Sequence, residues 1–123
     1  LGRGFLAGIV SSLDDLATDD YRRQDPRFFP ENLPGNLAIA ERVRDVAERV
    51  GATPAQVALA WTLAKGDDVV PIPGAKRRTH LEDNAAAVAV TLAAADVAAL
   101  DSLIDRGVRG DRYSGEALEA EID

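Results

Sequence analysis

Three consecutive cations, Lys76, Arg77 and Arg78, follow the run Val70-Pro71-Ile72-Pro73-Gly74 and precede Thr79-His80-Leu81-Glu82-Asp83-Asn84. Those residue types in that order suit anion binding. Gly74 lets a backbone approach a ligand closely. A helix beginning just after it presents unpaired N–H groups and its positive dipole end at the same spot. Cations placed there are unfavourable unless an anion sits among them. Two readings of these residues stand side by side. One is a phosphate pocket, the other a solvated basic turn balanced by Glu82 and Asp83. Other chemistry is scarce. His80 is the only histidine and there is no cysteine, which excludes disulfides, thiolate metal sites and any site built from several histidines. A Ser-His-Asp triad would have to recruit His80. The pairs Asp14/Asp15, Asp19/Asp20 and Asp67/Asp68 read as turn residues, because adjacent side chains diverge too far to act as acid–base dyads.

The elements that must position the cluster follow from periodicity. Residues 1–35 form a long loop, Gly-rich at its start and broken by Pro26, Pro30 and Pro34. Loops of that length in compact domains are often functional; a solvated surface loop with one helical turn is the other reading. Helices occupy residues 36–65. Ile39, Ala40, Val43, Val46, Ala47 and Val50 make one apolar face, and Gly51 supplies a left-handed stop. Thr53-Pro54-Ala55-Gln56 then starts a second helix with a capping Thr, Pro at its first position and Gln at its third. That helix is apolar nearly all round, so it is expected to be buried on more than one side, with Trp61 in the core. Residues 69–72 are expected to be a strand, although two prolines argue against a conventional central one. The basic loop and its helix cover residues 73–88, with Thr79 and Glu82 at capping-box spacing, though the helix could equally begin a residue or so earlier. A last helix spans residues 92–105, with Val97, Leu100 and Ile104 on one face. The tail, residues 106–123, is polar, acidic and expected to pack poorly. One strand cannot make a sheet, so it requires partners from elsewhere.

The chain has 123 residues, is 46% hydrophobic and carries a formal charge of -7. That net charge repels phosphate backbones, so broad nucleic-acid binding is disfavoured and any anion site must be local. No apolar run approaches the ~20 residues of a membrane span, and no signal peptide precedes the first charges. A cytoplasmic protein without a membrane partner is expected. Positive charge comes almost wholly from arginine, which with so much Ala and Val suggests a GC-rich bacterial genome. Methionine is absent, and Leu1-Gly2-Arg3-Gly4 reads as the middle of a loop, so a trimmed or incomplete chain is expected.

The segment Pro71-Ile72-Pro73-Gly74-Ala75-Lys76-Arg77 with Leu81-Glu82-Asp83-Asn84 resembles the aldo-keto reductase segment that leaves the eighth barrel strand. Leu1-Gly2-Arg3-Gly4-Phe5-Leu6 resembles the family's loop after the seventh strand. Thr53-Pro54-Ala55-Gln56-Val57-Ala58-Leu59-Ala60-Trp61 is similar to the helix between those strands. The three motifs occur in the right order, and the resemblance covers the chain to about residue 105. It implies an α/β fold class: the C-terminal part of a single (β/α)8 TIM barrel, mostly helical as it stands, with one barrel strand. That barrels bind phosphate with the loops after strands seven and eight agrees.

The resemblance further implies a cofactor, NADP(H), and a small carbonyl substrate, an aldehyde or ketone reduced to an alcohol. Gly74 and Lys76 would meet the 2′-phosphate, with Arg77 assisting. Asp83 and Asn84 would contact the adenine end. Leu1, Gly2 and Arg3 would lie along the pyrophosphate, largely through backbone groups, and Arg22 and Arg23 could close over it. His80 stands where relatives often carry Arg or Gln. A neutral imidazole is a weaker phosphate ligand, which leaves open both its role and the preference for NADP over NAD. The family's Asp, Tyr, Lys and His tetrad and its nicotinamide-stacking aromatic have no counterpart here. The chain alone is therefore expected to be inactive. Two other readings remain: a non-catalytic NADP(H)-binding relative acting as a regulatory subunit, and a stand-alone helical interaction module.

Overall fold

The first long helix, α1 (Leu33–Val50), opens with Pro34 inside its first turn and ends at Gly51, whose φ of 69° places it in the left-handed region. A short link leads to α2 (Pro54–Leu63). The Thr53 side chain accepts from the Gln56 N–H, and the Gln56 side chain accepts from the Thr53 N–H. This reciprocal pair satisfies two N–H groups that a helix start otherwise leaves open. Two further helices follow, α3 (Arg78–Ala86) and α4 (Ala94–Asp105), with a single 3₁₀ turn (Ala87–Ala89) after α3. The computed structural model describes residues 1–113, without the side chains of residues 104 and 105. The expected place of the Ile104 side chain on one face with Val97 and Leu100 lies outside that description, as do residues 114–123 of the expected tail.

Helix α2 packs against α1, α3 and the 3₁₀ turn, while α4 lies against α1. Four successive residues of α2, Val57 to Ala60, are buried. A helix with that pattern has apolar neighbours on more than one side, and here they come from both flanks. One core cluster joins Val43, Val46, Ala47, Val57 and Leu100. A second joins Phe5, Val10, Leu16, Phe28, Leu33 and Ala40, with Phe5 and Phe28 meeting edge to face at 6.4 Å. Leu6 packs against both. The long N-terminal stretch is thus a series of short 3₁₀ turns wrapped over one end of α1.

The expected barrel strand is absent. Residues 69–72 belong to no ladder, and no strand occurs among the described residues, so the observed fold is helical and not α/β. The reason is physical. A strand exists only by exchanging hydrogen bonds with a second extended segment, and no such segment occurs among the described residues. Pro71 and Pro73 contribute no N–H at all. The extended run is left open, with Ile72 93% exposed. No sheet, and hence no barrel, is formed by the described residues.

Of the two starts open for α3, the structure has the earlier one: the helix begins at Arg78 with Arg77 as its uncapped boundary residue, so Thr79 and Glu82 do not form a capping box. Glu82 instead pairs with Arg78 one turn back, at 2.7 Å. The part of the tail that is described also packs: Arg109 and Gly110 lie against α1 and the loop before it.

Candidate functional site

At the N-terminus of α3, Lys76, Arg77 and His80 are all exposed. Among the described residues Arg78 alone of the three consecutive cations has an ion-pair partner, and that partner is Glu82. The first turn of α3 contains no acidic residue. Two unpaired cations therefore lie beside a helix start whose N–H groups and dipole also favour an anion. Gly74 has open space where a side chain would be: no atom lies within 4 Å of an added Cβ. Its backbone is accessible, and crowding places no demand for glycine there.

The other end of this helix segment is fastened down. The Asp83 carboxylate accepts from Gln56 Nε2 at 2.9 Å and from Thr53 Oγ1 at 3.3 Å. Gln56 Nε2 also reaches the Asp83 main-chain carbonyl at 3.1 Å. The capping pair of α2 therefore doubles as the anchor of α3. Asn84, the next residue, is half-buried beside it.

Leu1, Gly2 and Arg3 occupy a separate region. Gly2, Arg3 and Gly4 have φ values of 58°, 58° and 91°, three consecutive residues in the left-handed region. For Arg3, which carries a Cβ, that backbone costs roughly 1–2 kcal/mol, so its side-chain contacts must hold it there. They are extensive. The guanidinium pairs with the buried carboxylate of Asp25, and Nη1 donates to the Arg112 carbonyl at 3.0 Å. The Tyr113 ring lies 5.3 Å from the guanidinium carbon, within cation–π range.

Arg22 and Arg23 are committed to the loop itself. Arg22 grips the Asp20 carboxylate at 2.6 and 2.9 Å and donates to the Arg3 carbonyl at 3.2 Å. The Arg22 side chain, and then its N–H, hold the Asp20 pKa down to about 2, and the Asp20 carboxylate in turn raises that of Arg22. Arg23 donates to the carbonyls of Leu13, Leu16 and Ala17. Asp15 closes a smaller turn. Hydrogen bonds from the Ser11 hydroxyl, the Ser11 N–H and the Ser12 N–H lower its pKa.

A cavity of about 570 Å³ opens between the N-terminal turns, α1, α2 and α4, with Phe5, Leu6, Val43, Trp61 and Leu103 among its apolar walls. Gly2 and Arg3 line it, and no residue of the 70–84 stretch does. The structure therefore does not bring the two groups of sequence-predicted residues into one cavity. Trp61 is half-buried at its edge, its Nε1 donating to Asp101 at 2.7 Å and its ring 4.5 Å from Lys65 Nζ. Lys65 and Trp61 together lower the Asp101 pKa.

Residues that the sequence did not single out hold Arg3 (Asp25, Arg112, Tyr113) or the segments those residues belong to (Asn36). Asn36 left a signal, lying four residues before Ala40 and seven before Val43 on the apolar face of α1. A polar residue in such a stripe needs buried partners. Asp25-Pro26 carries the Asp-Pro signature of a capped turn, and Asp25 does accept from the Arg27 N–H at 3.0 Å. Nothing in the local sequence pointed to Arg112 or Tyr113.

No helix among the described residues is long and apolar enough to cross a membrane. Comparison with known proteins matches residues 1–105 to the Aldo/keto reductase family. The chain is 44% identical over 114 residues to a protein of Schizosaccharomyces pombe named aldo-keto reductase yakc [NADP(+)], covering 92% of this chain and 34% of that protein. Aldo-keto reductase str7 of Strobilurus tenacellus is 40% identical over 91% of this chain and 34% of its own length. Probable aldo-keto reductase 1 of Glycine max is 42% identical over 92% of this chain and 33% of its own length. The chain spans about a third of the length of these relatives, which come from two fungi and a plant and lend no support to a bacterial source.

Proposed function

The chain belongs to the aldo/keto reductase family, and on that premise we propose that it forms the cofactor-binding portion of an NADP(H)-dependent oxidoreductase acting on aldehydes or ketones. The family match over residues 1–105 carries this reading. The naming of one relative for NADP(+) supports the choice of cofactor.

The donor set suits the group. Lys76 and Arg77 supply cationic N–H donors beside the start of α3, which fits the charge of a 2′-phosphate. The accessible backbone of Gly74 adds close approach on the same side. Asn84 is taken to meet the adenine end. Asp83, already held by Gln56 and Thr53, contributes there by fixing the helix that presents Asn84. Leu1, Gly2 and Arg3 are assigned to the pyrophosphate. When bound, the dinucleotide supplies or accepts hydride at its nicotinamide ring. This chain's part is to bind and orient it, while proton transfer to the carbonyl oxygen belongs to residues outside the chain. On that division the chain alone has no turnover.

Titration of the full-length protein with NADPH and NADH tests the assignment. Lys76→Ala is expected to weaken NADPH by about tenfold or more, the loss of a charge-assisted phosphate contact, and to leave NADH nearly unchanged. Equal losses for both would remove Lys76 from the 2′-phosphate. A full-length protein that binds neither would overturn the proposal.

A further inference from the structure

The segment after α4 is built into the N-terminal turns by a buried clasp. Asn36 is 1% exposed. Its amide donates to the carbonyls of Arg27 at 2.8 Å and Arg109 at 2.9 Å, and its oxygen accepts from the Arg109 N–H at 2.8 Å. One side chain thus satisfies both backbone groups of Arg109 and binds them to the loop before α1. The next residue, Gly110, has a φ of 86°, and a Cβ there would lie 2.6 Å from the Pro26 carbonyl oxygen. Only glycine fits that seat. At Gly35 a Cβ would meet only the flexible side chain of Arg109. The seat of Gly110 and the buried Asn36 amide set the path of the chain from Arg109 to Tyr113.

That path ends on Arg3. The Arg112 carbonyl takes the Nη1 donor of Arg3, and the Tyr113 ring lies beside the same guanidinium. Asp25, which also accepts from Nη1, belongs to the loop that the clasp holds. An arginine carries five N–H donors. Among the described residues these contacts engage Nη1 alone, so Nε and Nη2 remain for a ligand anion in the cavity that Arg3 lines.

We propose that residues 109–113 are a positioning clasp for Arg3, with Gly110 and Tyr113 as its positioning residues. It sets the guanidinium to receive the dinucleotide's pyrophosphate. The inference rests on the assignment of Arg3 to the pyrophosphate made above, and adds its guanidinium to the backbone groups as a contact.

The test is an NADPH titration of the full-length protein carrying Gly110→Ala, Tyr113→Ala or Tyr113→Phe, each with and without Arg3→Ala. Gly110→Ala and Tyr113→Ala are each expected to weaken NADPH about tenfold, as contacting residues couple. Tyr113→Phe, which keeps the ring, should bind as the unmodified protein does. In the Arg3→Ala background neither clasp variant should cause further loss. The same loss in both backgrounds would mean a general structural defect and overturn the proposal, as would a Tyr113→Ala variant that binds normally. Should Gly110→Ala fail to fold, the Tyr113 pair decides. If Arg3→Ala itself binds normally, the clasp has no ligand role. A lack of NADPH binding by the unmodified protein would instead overturn the cofactor reading, and the clasp's role with it.

Discussion

Gln56 Nε2 donates to both the carboxylate and the main-chain carbonyl of Asp83, at 2.9 and 3.1 Å, while its Oε1 accepts from the Thr53 N–H at 3.0 Å. One amide therefore caps α2 and ties the basic helix α3 to it. Asp83→Ala is expected to destabilise the protein by about 1 kcal/mol, the usual worth of such hydrogen bonds, and to speed hydrogen exchange in α3. Urea denaturation and amide exchange check both. Unchanged protection in α3 would mean that packing alone holds it.

Asp20 gives a pH dependence of definite sign. Its pKa is held at about 2 against an ordinary 3.8, first by the Arg22 side chain and then by the Arg22 N–H. The folded value lies below the unfolded one, so the ionised group favours the fold. The contribution is fully present above about pH 3.8 and is lost as pH falls through about 2. Carboxyl NMR should titrate Asp20 near that lower value, and Asp20→Asn should remove the acid-side loss. A midpoint near 3.8 would show that the Arg22 pair does not form in solution.

Trp61 is the only tryptophan and reports on the junction of α2 with α4. Asp101→Ala removes the acceptor of its indole N–H and the partner of Lys65. A red shift of Trp61 emission is expected as water reaches the ring. An unshifted spectrum would place α4 against α2 independently of Asp101.

Val57 has no exposed surface and sits where α1, α2 and α4 meet. Val57→Ala is expected to cost about 2 kcal/mol, the transfer of two methyl groups plus a residual cavity. Chemical denaturation measures it. A loss under about 0.5 kcal/mol, the range of surface substitutions, would mean that this junction is loose.

Ile72 and Val70 are 93% and 76% exposed on a single extended run. Apolar surface of that kind favours association. Ile72→Lys should change the stability of the chain by less than about 0.5 kcal/mol and reduce its self-association in sedimentation experiments. A large loss of stability would show that the segment is covered within the chain.

Local signals in the sequence specify local structure well. Thr53-Pro54-Ala55-Gln56 places the start of α2, and Gly51 the end of α1, because caps and stops depend on a few neighbouring residues. The apolar stripe of α1 points to the residues that are buried, since helical spacing puts them on one face. The basic character of the α3 start is legible for the same reason. Whether a phosphate sits there is a separate matter, carried by the family relationship.

The strand expected at residues 69–72 shows where local reading stops. Its apolar β-branched residues are compatible with a sheet, but pairing is a property of two segments, and the described chain offers no second one. The fate of Asp83 and the clasp on Arg3 are nonlocal in the same way. Gln56 lies 27 residues before Asp83, and Asn36 lies 73 before Arg109. The stop of α1 at Gly51, the start of α2 at Thr53-Pro54 and the apolar face of α1 are written in neighbouring residues. Which polar side chains become brackets between distant segments is settled only once the chain is packed, because a hydrogen bond depends on position in space and not on proximity along the chain.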